Sequence, residues 1–178
     1  MKMSRDYFPS LHESNVIIIV GVLYLPLLVY VAIANVIDYR ILKRYYYRKR
    51  RWDLNICCGN TNGGSVNADI VKRDVPNFVL LRDIYKLPFK DKEFKNTICS
   101  HTMEHVENPD KFFEELKRVS RNVTLLVPPV WNVGCMGCFQ QHKWQFLTMR
   151  TRHVNTLPRK FKLPYWEYQK RFGQALIG

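Results

Sequence analysis

Residues 87–109 read LPFKDKEFKNTICSHTMEHVENP, and the rest of the chain is best read outward from this stretch. Asp91 to Phe94 is a polar turn and Asn96 to Ser100 a short strand. Ser100 and His101 leave that strand, and Met103 to Val106 form a turn ending in a Glu-His pair. Downstream, Asp110 to Ser120 predicts an amphipathic helix, because Phe112, Phe113, Leu116 and Val119 fall on one face. Pro109 sits at its start, where proline is tolerated. Asn122 to Val127 reads as a strand stopped by Pro128-Pro129. In an open α/β sheet, ligands occupy the crevice beyond the carboxyl ends of the strands. Polar groups leaving the Asn96–Ser100 strand are therefore expected to face a ligand.

Upstream, Asp53 to Cys58 (DLNICC) predicts a buried strand, followed by the turn-rich run Gly59 to Gly64. Val66 to Val71 predicts a second strand with Asp69 near its end. Phe78 to Arg82 predicts a third, ending at Asp83. Strands alternating with helical or turn segments argue for an α/β fold built on a mainly parallel sheet.

The chain has 178 residues and a formal net charge of +13, which calls for an anionic partner, a membrane surface or nucleic acid. Val16 to Ile37 contains no charged residue. As a helix it is roughly 33 Å long, enough for a hydrocarbon core of roughly 30 Å, and Gly21 and Pro26 are acceptable within it. Its amino side carries Lys2, Arg5, Asp6 and Glu13, whose charges cancel. Its carboxyl side carries a block of Lys and Arg from Arg40 to Arg51, interleaved with Tyr39, Tyr45, Tyr46, Tyr47 and Trp52. Basic residues mark the cytoplasmic side and aromatic rings the interface. The expectation is a single-pass membrane protein with the amino terminus outside and the remainder cytoplasmic. A buried core helix fits the uncharged length poorly. A signal peptide cut after Ala32-Ile33-Ala34 conflicts with the basic block beyond the cut. The block is expected to touch lipid headgroups; no nucleic-acid recognition motif accompanies it.

Taken in order, LNICCGN, VNADIV, the run Arg82 to Phe89 (RDIYKLPF) and the run Ser100 to Asp110 resemble the small Rossmann-like (class I, type 11) methyltransferases that use S-adenosylmethionine. The resemblance covers roughly residues 53–148. It implies a reduced, mainly parallel Rossmann-like sheet, here preceded by the one transmembrane helix read from Val16 to Ile37. It also implies the cofactor S-adenosylmethionine and a set of residues to hold it. Gly59 lets the main chain approach the cofactor closely, with Cys57 and Cys58 before it. Asp69 accepts the ribose hydroxyls, Asp83 the adenine amino group, and Leu87 and Phe89 wall the ring; Ser100 lies at the same edge. For a hydroxyl or amine acceptor the proton-removing groups implied are His101 and His105, since neutral imidazole is a competent base near pH 7. Glu104 reads as structural.

The chain departs from that pattern in two places. Asn55 stands where the first strand commonly has an acid, and Cys57 where it has glycine. The span from Gly59 to Val66 is also too short for the usual first helix.

Cys135, Cys138 and His142 have a spacing that suits zinc, but a closed site needs a fourth ligand, which His153 or Cys99 could supply only through the fold. They read as reduced cysteines and a histidine near the substrate side, and no metal is assigned. Cys57, Cys58 and Cys99 read as core. The basic, aromatic stretch from Arg150 onward either returns to the membrane surface or completes the sheet.

The organisation expected is a tail (1–15), a transmembrane helix (16–38), a juxtamembrane segment (39–52), a methyltransferase-like domain (53–150) and a basic extension (151–178). Two functions follow. One is a membrane-anchored methyltransferase acting on a small-molecule, lipid or membrane-protein acceptor. The other is a catalytically degenerate module of the same fold that serves as a tethered binding or assembly partner.

Overall fold

The computed structural model describes residues 11–136 and 142–164. It opens on an uninterrupted helical run: α1 (Leu11–Asn35), a π-helical segment (Val36–Leu42) and α2 (Lys43–Lys49). Val31, Ala34, Asp38, Leu42 and Tyr46 recur along one side and, with Lys43 and Tyr47, are the described positions this run partly or fully buries. The upper part is different. Val22, Leu25, Leu28, Val29 and Ile33 are all exposed, so much of their apolar surface is not covered by protein. Among the described residues, this is the one helix long and apolar enough to cross a membrane.

Eight strands follow among the described residues: β1 (Trp52–Ile56), β2 (Gly64–Asp69), β3 (Phe78–Leu80), β4 (Phe94–Ser100), β5 (Ser120–Leu126), β6 (Trp144–Phe146), β7 (Arg152–Val154) and β8 (Lys160–Lys162). Six form one sheet in the order β3-β2-β1-β4-β5-β7. All its pairings are parallel except β5 with β7, where Leu125 lies opposite His153. β6 and β8 form a separate antiparallel pair. The predicted mainly parallel sheet is present. β7 adds the edge strand that the residues after Arg150 left open.

The two faces of the sheet are covered in different ways. On one, Leu54, Ile56, Cys99, Val123 and Leu125 pack against Phe112, Phe113, Leu116 and Val119 of α3 (Pro109–Val119). The α3 start follows its sequence: Asn108 Oδ1 accepts from the Lys111 amide at 2.9 Å, and Pro109 occupies the first turn.

On the other face the usual crossover helix is absent, since residues 57–63 make only a turn between β1 and β2. Here α2 lies over the sheet. Tyr46 and Tyr47 pack on Trp52, Ile98 and Leu126. The Tyr47 hydroxyl donates to Asn55 Oδ1 at 2.8 Å, and Asn55 Nδ2 donates to Thr61 O at 2.7 Å and Asn67 Oδ1 at 3.0 Å. Asn55 thus does what no acid there would do: it donates as well as accepts, and ties the shortened turn to the sheet. Gly63 is required at the crossing, because a Cβ there would fall 2.2 Å from the Tyr47 ring.

Candidate functional site at the carboxyl edge of the sheet

The carboxyl ends of β1, β2 and β4 bring together most of the residues singled out from sequence. Cys57 and Gly59 follow β1, both with φ of 52°. Glycine adopts this left-handed conformation freely, whereas an L side chain there costs about 1–3 kcal/mol. Cys57 therefore keeps the backbone shape of a glycine while carrying a thiol. Asp69, 4% exposed at the end of β2, accepts from the Gly59 amide through Oδ2 at 2.8 Å and from the Val71 amide through Oδ1 at 3.2 Å. A carboxylate offers about four acceptor positions, so two amide donors leave capacity for a pair of hydroxyls.

Asp83 lies beyond β3, exposed, with Oδ1 accepting from the Tyr85 amide at 2.7 Å. The Leu-Pro-Phe turn that follows is fixed from α3. Arg118 donates to the carbonyls of Leu87 and Phe89 at 3.1 and 3.0 Å and pairs with Asp91 at 2.6 Å. Glu115 accepts from the Leu87 amide at 2.6 Å. The Arg118 guanidinium, as its hydrogen-bond donor, holds the Glu115 carboxyl below the ordinary glutamate range. Leu87 is buried, and the Phe89 ring stands edge-on to Phe94 at 4.9 Å.

The two histidines have different surroundings. His101 is 4% exposed and has a φ of 51°. Its Nδ1 is 3.0 Å from Ser100 Oγ, and its ring lies 4.3 Å from that of Tyr39. Its Nε2 is 3.5 Å from Asp38 Oδ2. Asp38 is fully buried and accepts from Asn132 Nδ2 and Thr151 Oγ1, both at 3.0 Å. The helix that precedes the sheet thus caps His101. His105 is half-buried, its Nε2 3.9 Å from Glu104 Oε1, with its ring 4.8 Å from that of His142. Burial pushes the Glu104 carboxyl up to about 7.

Cys58, just after β1, and Cys99, in β4, are buried core groups. Burial raises Cys58 to about 11 and Cys99 to about 12, so both are thiols at neutral pH. Cys138, and the side chain of Cys135, lie outside the described residues.

Asp38, Tyr39, Tyr47 and Arg118 were not anticipated from sequence. Asp38 is the first acid after the uncharged segment, where a charge reads only as the end of a span. Arg118 sits among the charged residues of an amphipathic helix, and nothing in its spacing marks it. A groove of about 720 Å³, lined by Arg44, Arg48, Arg50 and Arg51, lies at the opposite, amino ends of β1 and β2. It is separate from the edge that holds Gly59 and Asp69.

Residues 50–127 match the family model described as "Methyltransferase domain". A search of curated proteins finds no match. Similar solved structures include the PH0226 protein of Pyrococcus horikoshii (23% identity, TM-score 0.39, covering 51% of this chain and 56% of that one). A SAM-dependent methyltransferase of Aquifex aeolicus matches at 15% identity and TM-score 0.38, covering 52% and 66%. The YcgJ protein of Bacillus subtilis matches at 17% identity and TM-score 0.39, covering 47% and 49%. The chain therefore spans about half to two thirds of the length of these proteins. Gly59, Asp69 and the Leu-Pro-Phe turn fall within the matched residues, and the match to a methyltransferase domain over residues 50–127 supports S-adenosylmethionine as the cofactor.

Proposed function

We propose that the chain is a membrane-anchored, S-adenosylmethionine-dependent methyltransferase whose acceptor is reached at the cytoplasmic membrane face. The observation that carries the reading is where the sheet meets the helix. The Tyr30 hydroxyl donates to Trp131 O at 2.6 Å, and Asp38 and Tyr39 meet the residues just beyond β4 and β5. The carboxyl edge of the sheet thus lies level with the last turns of the apolar helix. A ligand site at that edge faces the bilayer, which favours a lipid, a small lipophilic molecule or a membrane protein as acceptor.

S-adenosylmethionine, when bound, supplies an electrophilic methyl group. Gly59 gives its main chain close approach, and Asp69 accepts the ribose hydroxyls. Asp83, Leu87, Ser100 and Cys57 line the remainder, and Arg118 holds the Leu87–Asp91 turn in place. His101 and His105 are the imidazoles at this edge that accept a proton from a hydroxyl or amine acceptor.

The seven Lys and Arg residues between Arg40 and Arg51 favour a cytoplasmic sheet domain and an outside amino terminus. Contact with lipid falls to the apolar helix with Arg40, Lys43 and Arg44. Arg50 is about 20 Å further along the helical run than Ile37, at 1.5 Å per residue, so it faces the cytoplasm.

A second reading is favoured by one feature: His101 is covered by Tyr39, so an acceptor reaches it only if the ring moves. On that reading the domain is a tethered binding or assembly module without turnover. Calorimetric titration of the full chain in mild detergent with S-adenosylmethionine separates the two. Heat and thermal stabilisation, both weakened by Asp69→Ala, are the expected result for the enzyme. Neither at millimolar ligand rejects it.

A further inference from the structure

Glu104, His105 and His142 form a cluster that neither the sheet nor the cofactor site explains. Each offers a ligand atom, and these atoms all lie within 4.8 Å of one another. Glu104 is 1% exposed and its Oε2 is buried with no hydrogen-bond partner. A dry carboxylate oxygen without a donor is costly and calls for a compensating charge. His142 is 7% exposed, and its ring stands at 74° to that of His105 with centroids 4.8 Å apart.

The two segments that carry the trio are already locked together by their backbones. Glu104 O accepts from the amides of Lys143 and Trp144 at 2.7 and 3.1 Å. Trp144 Nε1 donates to Val106 O at 3.0 Å. The ligand atoms are thus presented from a fixed frame.

We propose that Glu104, His105 and His142 bind a single divalent transition-metal ion of the zinc class. Two imidazoles and a carboxylate are a donor set suited to zinc, with a fourth position left for water or another oxygen ligand. Tetrahedral ligands at 2.0–2.1 Å from the ion stand about 3.3 Å apart. Three atoms no more than 4.8 Å apart reach that arrangement with shifts of about 1 Å each, within the range of side-chain adjustment. The ion commits His105 to ligation, and proton acceptance at this edge then falls to His101. The cluster stands independently of the cofactor assignment, since none of its three ligands is a residue assigned to hold S-adenosylmethionine.

The test is zinc binding by the full chain in mild detergent, stripped with a chelator and titrated with Zn²⁺ alone. One tightly held ion per chain is expected. Glu104→Gln and His142→Asn should each weaken binding by at least about tenfold. A Cys135→Ser, Cys138→Ser double variant should keep the ion. No binding by the wild type, equal binding by His142→Asn, or loss in the cysteine variant overturns the proposal. X-ray absorption of the zinc-loaded wild type serves where a variant fails to fold. Nitrogen and oxygen at about 2.0–2.1 Å support the site, and a sulfur shell at about 2.3 Å rejects it. None of these readouts depends on methyl transfer.

Discussion

Replacing Asp38 with alanine removes the acceptor at which helix and sheet are joined. The Asp38 carboxylate is fully buried and takes hydrogen bonds from Asn132 Nδ2 and Thr151 Oγ1 at 3.0 Å each, with His101 Nε2 at 3.5 Å. Alanine leaves two buried donors stranded at about 1–3 kcal/mol each, so the expected loss is about 4 kcal/mol. Set against a total stability of about 5–15 kcal/mol, that is a large fraction of what holds the domain folded. Asp38→Asn keeps the volume and one acceptor oxygen, and should lose about half as much. Urea unfolding of the full chain in mild detergent, followed by tryptophan fluorescence, reads both. A double-mutant cycle of Asp38→Ala with His101→Ala then isolates the contact between them, with a coupling of at least about 0.5 kcal/mol expected. Should Asp38→Ala cost less than about 1 kcal/mol, the carboxylate is not the joint inferred here.

Other outcomes are open to measurement. Cys57→Gly relieves a left-handed residue but loosens the unfolded chain; the two effects should cancel within about 1 kcal/mol. S-adenosylmethionine affinity should rise by calorimetry, and a fall would contradict the part given to this turn. Arg118→Ala removes the donor that holds the carbonyls of Leu87 and Phe89. Amide exchange should quicken across residues 87–91 and stability should drop by about 2–3 kcal/mol; unchanged exchange would refute the clamp. Glu115 has a carboxyl held below its ordinary value by Arg118. A lowered pKa contributes stability above the unfolded value of about 4.3 that is lost as pH falls through the folded value. Glu115→Gln should therefore flatten the acid limb of a pH–stability curve below about pH 4, where the wild type falls steeply.

What the sequence disclosed, and what it hid, follows from the range over which each signal acts. β1 to β5 and α3 were legible because their apolar periods are local: Phe112, Phe113, Leu116 and Val119 mark α3 without reference to any partner. The Gly59–Asp69 pair came from the order of short motifs, and the structure joins them through one hydrogen bond. β6, β7 and β8 are three residues each and, unlike the equally short but wholly apolar β3 (FVL), each carries polar or charged residues (WQF, RHV and KFK). The polar face of the sheet was misleading in a different way. Asn55 looks like a lost acid until Tyr47 arrives from α2, and that contact depends on a chain reversal no local pattern records. Asp38 hides for the same reason, since its hydrogen-bond partners lie 94 and 113 residues away.

The helical run that fills the place of the missing crossover has a mechanical consequence. Between Val22 and Ile33 it exposes mainly apolar side chains, and its lower turns are a layer of the domain itself. Such a helix cannot swivel independently of the sheet. If the run spans a bilayer, as proposed above, a change in bilayer thickness that alters its tilt swings the sheet domain with it. Lipid composition would then set the height and angle at which the carboxyl edge meets the membrane surface.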